Sequence, residues 1–364
     1  MADAERSQML DEKFQSIVKQ YNMATIGAGI IEDGELVWTG YYGEQAPGVP
    51  ASSETLFNVA SITKTVTSEL IVRLANEGVI SLDEPMSDYW IDPDIAEDPR
   101  HRELTPRLAL THRTGFPNWR YLDEQFKLRF SFAPGTSYGY SGEGMEYAAR
   151  FAEKKTGENF QTLVNERVLG PSGVKDISLA PRDWVIPRLA LPVDSEGERK
   201  RPFCSGPDGG YCVPDGQWSA ADEMVTTVEA YARFMIGVMN GEGVSDELQA
   251  ERMTIQSSTA EDEVLACTLP DRTLCPSAQG YGLGWEIFEF EDAKLVSHGG
   301  GDWSERSMVY FNPETRDGIV LFINGPSTTN VEALMAGMNA LDNRSKIAVL
   351  YRGWVDAYNQ KNKS

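Results

Sequence analysis

The sequence predicts an α+β fold in which both ends of the chain build one antiparallel sheet, flanked by terminal helices, with a mainly helical region inserted between them. Three observations predict this fold: the chain begins with a helix and a hairpin, ends with strands and a helix, and is mainly helical in between. We therefore assign residues 1–60 and 275–364 to a sheet domain and residues 61–274 to a mainly helical domain.

The first elements follow from the spacing of apolar residues. A helix is predicted near the start, where apolar side chains recur at helical spacing at Met9, Leu10, Phe14, Ile17, Val18 and Tyr21. A hairpin follows, because TIGAGIIE and ELVWTG flank the turn pair Asp33-Gly34. A second helix ends at Gly78, a residue that tolerates left-handed backbone, and its apolar residues are Ile62, Val66, Leu70, Ile71 and Leu74.

The middle of the chain, from about residue 80 to 260, alternates helical patches such as EYAARFAEKKTG with loops rich in Pro and Gly. Residues 181–218 are predicted to form a long irregular loop, and loops of that length are usually functional or poorly ordered. From Tyr281 onward the segments YGLGWEIFEFE, AKLVSH, ERSMVYF and GIVLFIN predict strands. Helical spacing then returns at Val331, Leu334, Met335, Met338 and Leu341.

Charge and hydropathy exclude some partners. The 55 acidic residues outnumber the 33 basic ones, for a formal net charge of -22. This charge repels phosphate backbones and anionic membrane surfaces, so a nucleic-acid partner is not expected. No apolar run approaches the roughly 20 residues that a membrane helix requires, so we expect no membrane span. The oligomeric state is open.

The cysteines form two local pairs, Cys204 with Cys212 and Cys267 with Cys275. Each pair brackets turn-forming residues, which favours two small disulfide loops; four free thiols are the alternative. Zinc is disfavoured because no histidine or CxxC motif accompanies them. Disulfides would indicate export to the periplasm or the extracellular space. The start MADAERS shows no secretory leader, although it would suit a mature terminus behind an added methionine, so a cytoplasmic location is the alternative.

Ser61 and Lys64 lie one helical turn apart at the predicted start of the second helix, so their side chains share one face. The same spacing occurs at Ser16 with Lys19, inside a helix, and at Ser172 with Lys175, after a proline in a loop. Only Ser61 begins a helix, where unpaired N–H groups favour negative charge. The alternative is an ordinary helix cap.

Two further motifs carry chemistry-bearing residues. PGTSYGYSG at 134–142 leads into a helix, although a simple turn has the same composition. SHGGGD at 297–302 ends an apolar strand, and its glycines would let a ligand approach the backbone closely. The alternative for the second motif is a flexible hairpin turn.

Together, SITK, YSG and HGG resemble the three motifs of the serine β-lactamase and penicillin-binding-protein superfamily, in the same order. The sequence is most similar to the class C β-lactamase branch, which includes related carboxylesterases and D-aminopeptidases. THRTGFP at 111–117, YGLGW at 281–285 and the residues around SITK extend the similarity over about residues 25–325.

The resemblance implies a site for each motif and no cofactor or metal. Ser61 would be the nucleophile that forms an acyl-enzyme, Lys64 its neighbouring amine and Tyr140 the motif tyrosine. A serine hydroxyl needs a base, and either Lys64 or Tyr140 could take the first proton. His298 lies where many relatives have lysine, and the N–H groups of Ser61 and Gly301 would form the oxyanion hole.

Two departures from the family pattern bear on the substrate. Gly142 stands where the family commonly has an asparagine that contacts the substrate's acylamino group, and His298 replaces a permanently charged lysine. Both changes favour a carboxylesterase acting on small esters, with at best weak β-lactamase activity. The alternatives are a D-amino-acid amidase, D-aminopeptidase or DD-peptidase acting on amides, and a catalytically inactive penicillin-binding-like sensor or scaffold.

Several other residues are candidates for lining the cleft. Substrate-binding candidates, each also compatible with packing, are Trp119, Gly142, Gly299, Gly300 and Trp303. A rival pattern, Gly135-Thr136-Ser137-Tyr138-Gly139, fits the nucleophile elbow of α/β-hydrolases. Pro134 would interrupt the strand that such an elbow needs, and the regular strand-helix alternation is absent around it.

Overall fold

The computed structural model describes residues 2–361, and side chains within residues 4–357. Helices in chain order are α1 (Ala2–Tyr21), α2 (Thr63–Asn76), α3 (Pro106–Leu110), α4 (Gly142–Thr156), α5 (Phe160–Val164), α6 (Val228–Met239), α7 (Asp246–Arg252), α8 (Asn330–Leu341) and α9 (Lys346–Lys361). Strands are β1 (Thr25–Glu32), β2 (Glu35–Ala46), β3 (Val49–Pro50), β4 (Phe57–Asn58), β5 (Ile177–Ser178), β6 (Val225–Thr226), β7 (Ser257–Ser258), β8 (Ala278–Tyr281), β9 (Glu286–Glu289), β10 (Lys294–Gly301), β11 (Glu305–Phe311) and β12 (Gly318–Asn324).

One antiparallel sheet joins the two ends of the chain, as predicted. Its nine strands run in the order β3-β2-β1-β12-β11-β10-β9-β8-β7. The N-terminal strand β1 pairs with the C-terminal strand β12, in a register that runs from Thr25 opposite Asn324 to Ile31 opposite Gly318. The hairpin of β1 and β2 turns at Asp33-Gly34, where both residues have positive φ.

The central strands are covered on both faces, which explains their nearly unbroken apolar sequences. Every residue of β12 is buried. One face packs on the terminal helices α1 and α8, through side chains such as Phe14 and Leu334. The other face packs on α6, and there Gly27 leaves room for Phe57 and Val228, because a Cβ at position 27 would lie 2.7 Å from the Phe57 ring.

The segment that carries Ser61 is positioned by α2, which is buried from Thr63 to Leu74. This helix packs on α4 and α5 inside the helical region. Its N-terminus meets β10 of the sheet, because the short 3₁₀ turn before α2 contacts that strand. The site therefore forms where the helical region and the sheet touch.

Two disulfides close small loops, as the sequence favoured. Cys204 pairs with Cys212 and Cys267 with Cys275, with Cα atoms 4.0 and 5.8 Å apart. The first loop belongs to residues 181–218, whose regular structure is one short 3₁₀ turn, at Ile186–Arg188, and isolated β-bridges such as Val193 with Arg199. Among the described residues, no helix is both long and apolar enough to cross a membrane.

Candidate active site

The turn before α2 holds Ser61 in a tight and partly strained backbone. Ala60 has a φ of 48°, in the left-handed region that residues with a Cβ rarely adopt. Its N–H donates to the Asn58 side chain at 3.0 Å, and the Ser307 hydroxyl donates to the Val59 carbonyl at 2.8 Å. These contacts fix the turn that leaves Ser61 half-buried at the cleft.

Lys64 reaches back to Ser61, as the one-turn spacing predicts. Its Nζ lies 2.9 Å from the Ser61 Oγ and donates to the Ala221 carbonyl at 2.7 Å. The side chain is 1% exposed. The amine is therefore held within proton-transfer distance of the hydroxyl, in a largely dry environment.

Tyr140 completes the group around Lys64. It lies two residues before the start of α4 and is half-buried. The centre of its ring is 4.9 Å from the Lys64 Nζ. The nucleophile, amine and phenol predicted from separate motifs thus meet in one cleft.

His298 enters the cleft from β10. Its Nδ1 lies 2.7 Å from the Gly299 carbonyl, so Nδ1 carries the proton and Nε2 is an acceptor. Nε2 is buried and has no hydrogen-bond partner among the described residues. Burial, followed by repulsion from Lys64, lowers the pKa of His298 to about 3. The ring is therefore neutral near pH 7.

Glycines let β10 approach the nucleophile turn. A Cβ at Gly300 would overlap the Val59 carbonyl oxygen and lie 3.2 Å from the Ser61 nitrogen. A Cβ at Gly299 would overlap the Tyr351 hydroxyl on α9. Gly301 follows as the exposed last residue of the strand. The predicted oxyanion hole, made from the N–H groups of Ser61 and Gly301, thus has its two backbone segments in contact.

The two candidate tryptophans differ in what they contact. The Trp119 ring lies 5.8 Å from the Lys64 Nζ and covers Gly142, where a Cβ would be 2.7 Å from the indole. Trp119 therefore forms a wall of the cleft. Trp303 instead donates its indole N–H to the Cys204 carbonyl at 3.0 Å, which ties the first disulfide loop to the end of β10.

Carboxylates beside the site were missed by sequence reasoning. Asp222 follows the carbonyl that binds Lys64, and burial raises the pKa of both Asp222 and Glu223. Asp302 lies on the β10–β11 connection and Glu305 begins β11; burial raises the pKa of Asp302, and that of Glu305 to about 8. No local pattern identifies these residues, because acidic side chains occur throughout the chain and only the fold gathers this subset.

Several known proteins are similar to this chain in sequence. Relatives include the D-alanyl-D-alanine-carboxypeptidase/endopeptidase AmpH of Escherichia coli (strain K12), 22% identical over 346 residues that cover 87% of this chain and 84% of AmpH. The esterase EstB of Burkholderia gladioli is 25% identical over 211 residues, which cover 49% of this chain and 53% of EstB.

Solved structures with a similar fold include EstCE1, described as a hydrolase with promiscuous acyltransferase activity, with a TM-score of 0.73 and 16% identity. Another is the D-alanine carboxypeptidase AmpC from Burkholderia cenocepacia, with a TM-score of 0.70 and 21% identity. Each match covers 93% of this chain and 99% of the other.

Fold and motifs define a serine hydrolase of the β-lactamase and penicillin-binding-protein superfamily. The family model described as Beta-lactamase matches residues 10–341. The chain therefore belongs to the β-lactamase family.

Proposed function

We propose that the protein is a carboxylesterase that transfers the acyl group of a small ester to Ser61 and then to water. The observation that carries the proposal is the 2.9 Å contact between the Lys64 amine and the Ser61 hydroxyl, with the Tyr140 ring 4.9 Å from the same amine. A serine hydroxyl beside a base is the arrangement that nucleophilic catalysis requires.

The reaction proceeds in two halves. Ser61 Oγ bonds to the acyl carbon while its proton passes to Lys64 or Tyr140, and the carbonyl oxygen becomes an oxyanion held by the N–H groups of Ser61 and Gly301. The ester C–O bond then breaks, and the alcohol leaves with that proton. Water attacks the acyl-enzyme in the same way, which releases a carboxylic acid and restores Ser61.

Three features favour neutral esters over anionic amides. The Trp119 indole occupies the space beside Gly142, so no side chain at 142 can bind an acylamino group. His298 is neutral and offers an acceptor, which attracts no carboxylate. The formal net charge of -22 also disfavours an anionic substrate at long range.

A second candidate is the hydrolysis of amides that carry an ammonium group, such as D-amino-acid amides. The observation that favours it is Asp222, a half-buried carboxylate directly after the carbonyl that binds Lys64. A carboxylate there would attract a cationic substrate. The two disulfides favour an exported protein for either activity, since such bonds persist in oxidising compartments.

The test is a kinetic panel of p-nitrophenyl butyrate, nitrocefin and D-alanine amide, combined with fluorophosphonate labelling. Ser61→Ala should abolish turnover and labelling, because it removes the attacking oxygen. Ser137→Ala, which changes the exposed serine of the rival motif, is the matched control and should leave both unchanged.

Retained activity in Ser61→Ala would refute the assignment. A wild-type protein that turns over none of these substrates and is not labelled would favour the non-catalytic sensor or scaffold. Faster turnover of D-alanine amide than of the ester would favour the second candidate.

A further inference from the structure

His112 occupies a backbone position that normally suits glycine. It follows α3 after Thr111 and has a φ of 53°. Its N–H donates to the Ala109 carbonyl at 3.2 Å, and the Arg113 N–H donates to the Leu108 carbonyl at 2.8 Å. This pair of bonds defines a helix end whose left-handed residue is usually glycine, because a Cβ there is unfavourable. A buried histidine at this point calls for a reason other than the turn.

The same histidine holds the backbone on both sides of Tyr140. The His112 carbonyl accepts the Gly139 N–H at 2.9 Å, and its Nδ1 accepts the Ser141 N–H at 3.2 Å. Its ring also packs against the phenol, with the ring centres 4.4 Å apart. One residue thus contacts three consecutive residues, with Tyr140 in the middle.

The surroundings keep the imidazole in the form that these bonds need. The ring is 1% exposed and meets the edge of Tyr281, with centres 4.6 Å apart. Burial, and then the charge of Lys64, lower its pKa well below the ordinary value, so Nδ1 stays an unprotonated acceptor. The remaining titratable neighbour that packs on the ring is Tyr138, at 6.3 Å.

A purely structural role is already filled by other groups. Ser141 is anchored without His112, because its hydroxyl donates to the Pro117 carbonyl at 2.8 Å and accepts the Gly144 N–H at 2.9 Å. The helix end itself would form at least as well with glycine. The histidine supplies the acceptor for the Ser141 N–H and a ring close to the phenol, with centres 4.4 Å apart, compared with 6.2 Å for Tyr281.

We propose that His112 is a positioning residue that holds the Tyr140 phenol against the Lys64 amine. The inference rests on the proposed function, because it gives Tyr140 a part in proton transfer. It also assigns a role to the THRTGFP segment, which sequence reasoning tied to the family but to no task.

The decisive variants are His112→Asn and His112→Gly. Both residues accept left-handed backbone, but only asparagine has a side-chain oxygen near the place of Nδ1. His112→Gly should lower kcat for p-nitrophenyl butyrate by about 10²-fold with little change in KM, as expected for a misplaced catalytic group. His112→Asn should stay within about 5-fold of wild type, because the bond to Ser141 can re-form.

A double-mutant cycle with Tyr140→Phe distinguishes a positioning role of His112 from a general disturbance of the structure. In that background His112→Gly should cost less than about 2-fold, since residues that act as a unit are not additive. The rate of fluorophosphonate labelling at Ser61 gives a readout that does not depend on the substrate chosen. If His112→Gly does not fold, His112→Asn replaces it in the cycle. The small loss of kcat caused by His112→Asn should then be absent in the Tyr140→Phe background.

The outcomes distinguish a failure of the proposed function from a failure of the role assigned to His112. A wild-type protein that is not labelled at Ser61 refutes the proposed function and the role of His112 with it. A labelled wild type whose His112→Gly variant reacts equally fast, or loses as much in the Tyr140→Phe background as outside it, overturns the role of His112 alone.

Discussion

Trp119 and Gly142 share one space beside Lys64, so neither can be changed alone without consequence. The Gly142 N–H donates to the Asn118 side chain at 2.9 Å, which holds the first turn of α4 against the segment that carries Trp119. Arg120 reinforces this junction through Glu143, at 2.8 Å. The indole is therefore fixed over the position from which a substrate-binding amide would otherwise project.

Restoring that amide should require removing the indole first. Gly142→Asn alone should lower the kcat/KM of ester hydrolysis, because its Cβ overlaps the indole and overpacking costs about 1–3 kcal/mol. In the double variant Trp119→Ala/Gly142→Asn, the kcat/KM for nitrocefin divided by the kcat/KM for p-nitrophenyl butyrate should rise by roughly 10-fold. This is the change expected when about one hydrogen bond to the substrate is gained. Trp119→Ala alone is the control. An equal ratio in the double variant and the control would contradict this account of selectivity.

The residues of the site differ in how far the sequence could specify them. Ser61, Lys64, Tyr140 and His298 lie in short motifs whose spacing and context are visible in the chain, and the structure brings them together. His112 and Asp222 were not predictable, because their importance comes from contacts with segments distant in sequence. The tie between Trp303 and the disulfide loop has the same origin.

Among the elements, α2 carries a buried ion network in addition to Ser61 and Lys64. Glu69 binds two guanidinium groups, Arg73 at 2.8 Å and Arg252 at the end of α7. The side chains of Glu69 and Arg252 are fully buried. The network joins the central helix to the C-terminal part of the helical region.

Removing the carboxylate should leave two buried cations without their partner. Glu69→Gln should lower the free energy of unfolding by about 3–5 kcal/mol, measured by urea denaturation. Glu32→Gln, which breaks an exposed pair with Arg6, is the matched control and should cost less than about 1 kcal/mol. Equal losses of unfolding free energy in the two variants would show that the buried network contributes no more to stability than an exposed ion pair.

The helices and strands were predictable where their apolar pattern is strong. The hairpin at Asp33-Gly34, the C-terminal strands and the terminal helices all occur, because period and turn residues are local properties. The short strands β4, β5 and β6 were not predicted. Each is a two-residue strand, paired in a separate three-stranded sheet that depends on tertiary contacts.

The whole molecule should lose stability as the pH rises. Burial raises the pKa of Glu286 and of Glu305 to about 8, and for Glu286 the Ser297 hydroxyl opposes this only in part. The ordinary value for glutamate is 4.5. Between pH 4.5 and 8 these two glutamates bind more protons in the folded protein than in the unfolded chain. Their contribution to the free energy of unfolding is therefore largest at low pH and is lost as the pH rises through 8. The lowered pKa values of His112 and His298 have the opposite effect: they reduce the stability of the folded protein as the pH falls below about 6.5.

Thermal unfolding at pH 6, 7, 8 and 9 checks this expectation. The Tm should be highest near pH 6 and fall toward pH 9. Glu286→Gln should flatten the fall, because a neutral amide cannot ionise, whereas the exposed Glu32→Gln should leave it unchanged. A Tm that is constant or rises from pH 6 to pH 9 would contradict the assignment of buried, protonated carboxyls.

The pairing of β1 with β12 has a consequence for how the protein is made. Ser61 leaves the ribosome roughly 240 residues before His298 and Gly301, a delay of about 10–50 s at ordinary rates of synthesis. Until β10 to β12 have been synthesised, the sheet lacks its central strands and Ser61 lacks the glycine-lined strand β10. Under the proposed function, Ser61 of a nascent chain should therefore stay unreactive until β12, which ends at Asn324, has been translated.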